Sequence, residues 1–284
     1  MIKEHYKADL WLLLATFFWG ITFVTVKDAM RHASPLVFLG ARFLLAGVLL
    51  LPFCWRSFAR LGRQGWRDGI ILGLFLFGGF AFQTAGLVHT TATRSAFITG
   101  LAVVLVPVFS IAMLKKPVDR WLVLGALLAS AGLYFLSRPA GGGFNRGDLL
   151  TALCAVCFAV EIILVEIYTK RHHPMDMVMA QVVTTVALCG SLLWVVETPR
   201  LQFTTGLWLD LFVTCLLATV GSLVIQFTWQ RRTDAARAAV IYTMEPLFAA
   251  LFAFLVVGER MSGAGWLGAG LITVGMLASE LSKQ

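Results

Sequence analysis

The sequence predicts an all-α membrane protein, in which ten transmembrane helices form two inverted five-helix repeats with both termini in the cytosol. Three observations predict this fold class. Apolar residues make up 59% of the 284 positions and charged residues only 13%, whereas soluble domains carry about 25% charged residues. Ten apolar stretches are long enough to cross a bilayer. The two halves of the chain also share residues at constant spacing.

A helix that crosses the hydrocarbon layer needs roughly 20 mainly apolar residues. The predicted spans are joined by short links and lie at 8–27, 35–55, 69–88, 94–114, 120–137, 147–168, 175–196, 208–229, 236–257 and 263–280. Transmembrane β-strands are about half as long and alternate in polarity. Runs such as Leu101 to Leu114 do not alternate, and the mean hydropathy of the chain is +0.83. These features favour helices over a barrel.

Basic residues are distributed unequally between the two sides of this predicted bundle. Fifteen of the 23 Lys and Arg residues fall on the side that holds both termini, seven fall on the other side, and Arg42 lies inside a span. Loops rich in basic residues remain in the cytosol, so the termini are expected there. Basic loop residues that set the orientation in the membrane and contact anionic lipid headgroups also account for the net charge of +8. No nucleic-acid partner is therefore expected.

The two halves of the chain match each other at nearly constant shifts. At a shift of 143 residues the matched pairs include Gly78 with Gly221, Gln83 with Gln226, Thr90 with Thr233, Arg94 with Arg237 and Gly132 with Gly275. At a shift of 139 they include Asp9 with Asp148, Pro35 with Pro174 and Pro107 with Pro246. Either a turn is inserted in the predicted span at 94–114 or these last two prolines are not equivalent.

This repetition predicts a domain organisation. Residues 1–139 form the first five-helix repeat, residues 140–146 form the joint, and residues 147–284 form the second repeat. Because five is an odd number, the second repeat crosses the bilayer in the opposite sense to the first. Inverted repeats in transporters place the solute site near the middle of the membrane, between the repeats.

Several longer motifs carry a family resemblance. They are 17-FFWGITFVTVK-27, 35-PLVFLGARFLLAG-47, 91-TATRSAFITGLAVVLVPVFS-110, 125-GALLASAGLYF-135, 236-ARAAVIYTMEPLFAALFAFLVVGER-260 and 268-GAGLITVGM-276. With these motifs the sequence resembles the drug/metabolite transporter superfamily, in its ten-helix EamA-type branch, over nearly the whole chain. The resemblance implies a central cavity between two inverted repeats and movement of small metabolites, often amino acids and often outward. Its similarity to bacterial exporters of this kind implies a multi-pass protein of the bacterial inner (plasma) membrane.

Three charged residues inside predicted spans stand out as candidates, because a charged group there costs a few kcal/mol to insert. Arg42 can orient an anionic group such as a carboxylate, or it can cap helix-end carbonyls. Glu161 is a candidate for proton coupling, because burial favours the neutral form of a carboxyl group. It can instead bind a substrate amine or pair with a basic residue. Glu245 is a second proton-coupling candidate, since it precedes Pro246 and a proline bend can turn its carboxylate toward a cavity.

Neutral polar and aromatic residues complete the predicted cavity. Gln83 and Gln226 correspond under the repeat, as do Arg42 and Gln181, so pseudo-twofold symmetry brings such pairs toward one site. The alternative for each amide is an interhelical hydrogen bond, worth about 0.6 kcal/mol. Aromatic side chains can line the cavity or face lipid and headgroups. The remaining candidate cavity residues are Trp19, Phe80, Thr99, Trp229 and Tyr242.

Other chemistry finds little support in the sequence. Cys154 and Cys157 are one helical turn apart, but no second Cys/His cluster completes a metal site. No Walker motif is present. We therefore expect no catalytic residues, metal or cofactor, and an energy source in a solute or proton gradient. The predicted function is secondary transport of small organic metabolites, with the lipid bilayer, a small-molecule substrate and protons as partners. The alternatives are a membrane-embedded enzyme and a non-transporting sensor or scaffold.

Overall fold

The computed structural model describes residues 2–90, 92–115, 119–137, 145–257 and 262–281. Helices account for 87% of the described residues, which contain no β-strand beyond an isolated bridge between Ala33 and Leu201. The predicted all-α class is confirmed. Of the predicted joint at 140–146, residues 140–144 lie outside the described residues.

Fourteen α-helices and two short segments of other helical type follow one another along the described chain. They are α1 (Ile2–Ala29), α2 (Pro35–Cys54), α3 (Ser57–Arg60), α4 (Gly62–His89), α5 (Ala92–Gly100), α6 (Ala102–Leu114), α7 (Arg120–Ser137), α8 (Arg146–Tyr168), α9 (Pro174–Val196), α10 (Thr205–Val213), a π-helical segment (Thr214–Gly221), α11 (Ser222–Trp229), a 3₁₀ turn (Gln230–Arg232), α12 (Ala235–Tyr242), α13 (Glu245–Val257) and α14 (Gly263–Glu280).

Eight helical stretches of the described chain are long and apolar enough to cross a membrane. Two further apolar helices, Arg120–Phe135 and Gly263–Ser279, are shorter. These two correspond to the predicted spans at 120–137 and 263–280. Their apolar character follows the prediction, whereas their length falls below that of the other eight. Length and composition together define a protein with many membrane-spanning helices.

The two shorter helices, α7 and α14, pack against each other with their backbones in close contact. A Cβ atom placed on Gly132 would lie 2.6 Å from the carbonyl oxygen of Gly268, and one placed on Gly125 would lie 2.7 Å from that of Gly275. Small residues allow such an approach between transmembrane helices, where van der Waals contact replaces the hydrophobic driving force. The glycines are therefore structural at this interface.

We expect Gly132→Ala to destabilise the protein by about 1–3 kcal/mol, because its methyl group meets backbone atoms that cannot move aside. The matched control is Gly270→Ala on α14, where a Cβ atom meets no other atom within 4 Å. Alanine favours helix over glycine by about 0.5–1 kcal/mol, so the control variant should be as stable as the wild type or more so. Thermal unfolding of the purified variants in detergent measures both effects. Equal melting temperatures for the two variants would contradict the packing described.

Two of the predicted spans are each divided into two helices in the structure. The span at 94–114 is divided between α5 and α6, and the span at 236–257 between α12 and α13. At the interruptions, Leu101 N donates to Ile98 O and Met244 N donates to Ile241 O, both in three-residue steps. Leu101 and Met244 correspond under the shift of 143 residues. Pro246 is the second residue of α13, a position where its missing N–H costs nothing.

Candidate functional site

A central cavity lies between α1, α2, α4, α5, α6, α8, α11, α12 and α13, so both halves of the chain line it. Its empty volume is about 840 Å³, including the space at its opening. Sites for small molecules typically occupy about 300–1,000 Å³. Nine of the eleven candidate residues from the sequence line it, namely Trp19, Arg42, Phe80, Gln83, Thr99, Glu161, Gln226, Tyr242 and Glu245.

Arg42 carries the positive charge of this cavity. Its side chain is only 2% exposed, its Nε donates to Thr219 Oγ1 over 2.6 Å, and its guanidinium lies 4.6 Å from the centre of the Phe80 ring. The Nη2 atom has no hydrogen-bond partner among the described residues. A buried donor without a partner costs free energy, so a ligand with an anionic or acceptor group would satisfy Arg42.

The π-helical segment positions the partner of Arg42. Within it, Thr219 Oγ1 donates to Thr214 O over 3.0 Å, which leaves the lone pairs of this hydroxyl for Arg42. In the same segment, Ala218 O accepts a hydrogen bond from Trp19 Nε1 over 3.1 Å. Short π-helical turns inside α-helices are frequent at functional sites. Here the segment holds an arginine and a tryptophan of the cavity at the same level.

Two carboxyl groups contribute the acidic side of the cavity. Glu161 is 2% exposed, and its Oε2 accepts from Gln226 Nε2 over 3.1 Å. Its Oε1 has no hydrogen-bond partner among the described residues. Glu245 also lines the cavity, at the first turn of α13. The cavity therefore offers an unpaired acceptor at Glu161 in addition to the unpaired donor at Arg42.

Aromatic rings form the apolar walls. Trp19 and Tyr242 meet edge to face with ring centres 5.2 Å apart. Phe80 and Phe158 have the same arrangement, also at 5.2 Å. Each pair joins one helix of the first half to one of the second half. The walls can hold a flat or aliphatic group between the charged residues.

Two of the candidate residues do not line the cavity. Trp229 stacks on Trp11 with ring centres 5.8 Å apart and lies beneath the guanidinium of Arg232. Gln181 is 0% exposed within α9, where its backbone carbonyl faces Gly73 of α4. Its equivalence with Arg42 in the repeat therefore does not place both residues in one cavity.

The Gln181 amide has no hydrogen-bond partner for Nε2 or Oε1 among the described residues. Leaving buried polar atoms unsatisfied costs about 1–3 kcal/mol. We therefore expect Gln181→Met, which keeps the shape of the side chain and removes its polar atoms, to raise the melting temperature in detergent. Gln83→Met, at a position that borders the cavity, serves as the control and should raise it less. A lower melting temperature for Gln181→Met would show that the amide has a partner.

Two arginine–aspartate ion pairs join the halves. Arg94 Nη2 lies 2.6 Å from Asp148 Oδ2, and Arg237 Nη2 lies 2.6 Å from Asp9 Oδ2. The arginines correspond to each other in the repeat, and so do the aspartates. Each arginine therefore pairs with the aspartate of the other half. The sequence revealed the matching residues without revealing that they pair.

These ion pairs lie at opposite ends of the bundle. Asp9 lies near the start of α1. Lys27, near its end, donates to Leu87 O and Thr90 O, and Thr90 Oγ1 donates to Asp148. The separation of Asp9 and Lys27 along the helix is about 27 Å at 1.5 Å per residue. We call these the Asp9 end and the Asp148 end.

Three residues that build the site were not among the candidates. Phe158 forms part of a wall, Thr219 holds Arg42, and Gln230 binds Gln226. The position of Gln230, four residues after Gln226, was a usable signal because such residues share a helix face. Thr219 gave no comparable signal, since apolar periodicity does not reveal a π-helical segment.

Within the part of the chain that the structure describes, no group of three or more His, Cys, Asp or Glu residues could hold a metal ion. All five cysteines are free, and four of them are buried.

Comparisons with known proteins agree with this architecture. The sequence pattern of the EamA-like transporter family matches residues 6–138 and again residues 145–279. A many-spanning helical bundle with a central cavity is a transporter architecture. The chain belongs to the EamA-like transporter family, within the drug/metabolite transporter superfamily. It is a multi-pass membrane protein.

Individual relatives cover almost the whole chain. A protein of Archaeoglobus fulgidus, named an uncharacterized transporter, is 36% identical over 99% of this chain and 87% of its own length. A Salmonella typhimurium protein named a probable amino-acid metabolite efflux pump is 26% identical over 93% of this chain and 91% of its own. A solved crystal structure superposes with a TM-score of 0.82 at 20% identity, covering 97% of each chain. That structure shows a shared fold.

Proposed function

We propose that this protein is a secondary transporter that exports small organic metabolites, amino acids or related compounds, by alternating access between two inverted repeats. The observation that carries the proposal is the cavity between the halves, where Arg42 Nη2 and Glu161 Oε1 both lack a partner among the described residues. Membership of a transporter family supports transport over the alternatives of a membrane-embedded enzyme and a sensor or scaffold. The name of the Salmonella relative, a probable amino-acid metabolite efflux pump, supports amino acids as the solutes and efflux as the direction.

The cavity suits a solute with two opposite charges and an apolar group. Arg42 binds the carboxylate, with its guanidinium held by Thr219 and Phe80. Glu161 binds an ammonium group or carries the coupling proton, and Glu245 is the second coupling candidate. The aromatic walls hold the side chain of the solute. Opposite charges fixed in a low-dielectric site orient such a solute strongly.

The proposed topology has ten membrane crossings, with residues 1–139 and 147–284 as the repeats and both termini in the cytosol of a bacterial cell. It places the Asp9 end at the cytosolic face of the inner membrane. Two observations support the repeats: the same family pattern matches each half, and the ion pairs Arg94–Asp148 and Arg237–Asp9 are equivalent across them. Alternate opening of these two pairs would expose the cavity to one side at a time.

The proposal is tested by uptake into proteoliposomes, using a panel of radiolabelled amino acids with and without an imposed pH gradient. We expect at least one zwitterionic amino acid to be taken up, and faster with the gradient. Glu161→Gln should abolish the gradient-driven part and keep the rest, because the variant side chain cannot release a proton. Glu245→Gln is measured in parallel, and loss of the gradient-driven part there alone would move the coupling role to Glu245. Absence of uptake across a broad panel would contradict the proposed function.

A further inference from the structure

A buried hydrogen-bond network lies directly beside the cavity. Gln230 opens the 3₁₀ turn after α11, is 0% exposed and is not among the lining residues. Its Nε2 donates to Ile162 O over 2.6 Å. Its Oε1 accepts from Gln226 Nε2 over 3.2 Å and from Tyr242 OH over 2.9 Å. One amide therefore contacts α8, α11 and α12 together.

The directions of these hydrogen bonds are fixed by chemistry. A backbone carbonyl can only accept, so Ile162 O determines that Gln230 presents Nε2 to it. Gln230 Oε1 must then face Gln226 and Tyr242, and both of them must donate. The second hydrogen of Gln226 Nε2 goes to Glu161 Oε2. Each of these donor and acceptor assignments follows from the fact that Ile162 O can only accept.

This chain of bonds decides which oxygen of Glu161 is available. Oε2 is already an acceptor, whether the carboxyl group is charged or neutral. A proton or a ligand donor is left with Oε1, the oxygen that has no partner among the described residues. If the Gln226 amide turned over, its oxygen would face the carboxylate, and Glu161 would have to be protonated to satisfy it.

We propose that Gln230 is a positioning residue, which holds Gln226 and Tyr242 as donors so that Glu161 offers Oε1 to the cavity. This role of Gln230 rests on the proposed function, because Oε1 is the atom of Glu161 that the transported proton or amine would contact. Gln230 acts only through its neighbours.

The repeat has an apolar residue at the position that corresponds to Gln230. Under the shift of 143 residues Gln226 corresponds to Gln83, while Gln230 corresponds to Leu87. Leu87 is buried in the helix that matches α11. Leu87 lies inside α4, whereas Gln230 opens a 3₁₀ turn, so the first half has a buried leucine at the matching position. Gln230→Leu and Gln230→Met are accordingly suitable variants.

Infrared spectroscopy of the protein in lipid vesicles tests the proposal without a solute. The stretching band of the protonated Glu161 carboxyl is the band that Glu161→Gln removes and Glu245→Gln retains. Gln230→Met should move this band to higher wavenumber, because its C=O loses the hydrogen bond from Gln226. Gln226→Met should move it equally, and the double variant no further. Gln83→Met, the repeat counterpart, should leave it in place. Where Glu161 stays ionised, the position of its carboxylate stretching band is compared among the same variants.

A band that shifts in Gln226→Met but stays in place in Gln230→Met would overturn the proposal, since Gln226 would then hold its direction alone. Additive shifts in the double variant would overturn it as well. If Gln230→Met fails to fold, Gln230→Leu replaces it. Because the band is measured without solute, failure of the uptake experiment leaves this result standing. Normal uptake together with an unshifted band would contradict the positioning role of Gln230 and leave the proposed transport function standing.

Discussion

Arg42→Met is expected to lower the transport of a carboxylate-bearing solute by roughly 100-fold or more. Removing one partner of a buried ion pair typically costs about 3–5 kcal/mol, and each 1.4 kcal/mol is a factor of ten. Arg42 is buried beside the cavity, and its free Nη2 is the donor that the proposed carboxylate would satisfy. Initial rates of uptake in proteoliposomes over a range of solute concentrations measure the loss.

Two comparisons separate solute binding from a structural role of Arg42. Arg42→Lys keeps the charge, but a single ammonium group cannot hold Thr219 and the solute with the geometry of a guanidinium, so we expect partial activity. Wild-type protein should also prefer an amino acid over its carboxamide, and Arg42→Met should lose this preference. If both solutes were transported more slowly by the same factor and the preference remained, Arg42 would act only on the structure.

Neutralising the two cross-repeat ion pairs is expected to open opposite ends of the protein. Asp148→Asn removes a completely buried partner of Arg94, and Asp9→Asn removes the largely buried partner of Arg237. Buried pairs cost several kcal/mol to break, so each variant should favour the conformation open at its own end. The readout is labelling of Thr22→Cys, a cavity residue, after the five native cysteines have been replaced. We expect labelling by an impermeant thiol reagent to change by at least about tenfold, which corresponds to 1.4 kcal/mol.

The direction of the effect is the decisive observation. Asp148→Asn should increase labelling from the Asp148 end and Asp9→Asn from the Asp9 end. Exchange of the partners, as Arg94→Asp with Asp148→Arg, should return labelling toward the wild-type rate. Asp28→Asn is the control, because Asp28 pairs with Arg31 on the exposed surface, where ion pairs contribute little. Identical changes in both aspartate variants would contradict the assignment of the pairs to opposite ends.

The broad architecture could be predicted from the sequence because lipid imposes simple constraints. Apolar stretches of spanning length and the matched residues of the two halves can both be recognised from the sequence alone. The interruptions were harder to predict. Pro246 indicated a bend beside Glu245, and α13 begins there. Pro107 lies within α6, while the matching interruption falls at Leu101, which sequence composition does not mark.

The candidate site could likewise be predicted only in part from the sequence. Charged groups inside spans are costly, and this reasoning selected Arg42 and Glu161, while the repeat correspondence with Gln83 selected Gln226; all three line the cavity. Their roles remain predictions. Gln181 was selected by its repeat correspondence with Arg42 and lies elsewhere, because the sequence does not show which helices border the cavity and no described residue of α9 lines it. The contact of Arg42 with Thr219 depends on a π-helical segment, and the cross-repeat ion pairs depend on tertiary structure.

The most direct measurement of alternating access is counterflow in proteoliposomes. Vesicles are preloaded with an excess of an unlabelled amino acid that the protein transports, and uptake of the same labelled compound is followed. A carrier with one site exposed to each side in turn predicts that the preload accelerates uptake and produces a transient accumulation of label above equilibrium. Uptake at a rate independent of the preload, without overshoot, would contradict a carrier mechanism.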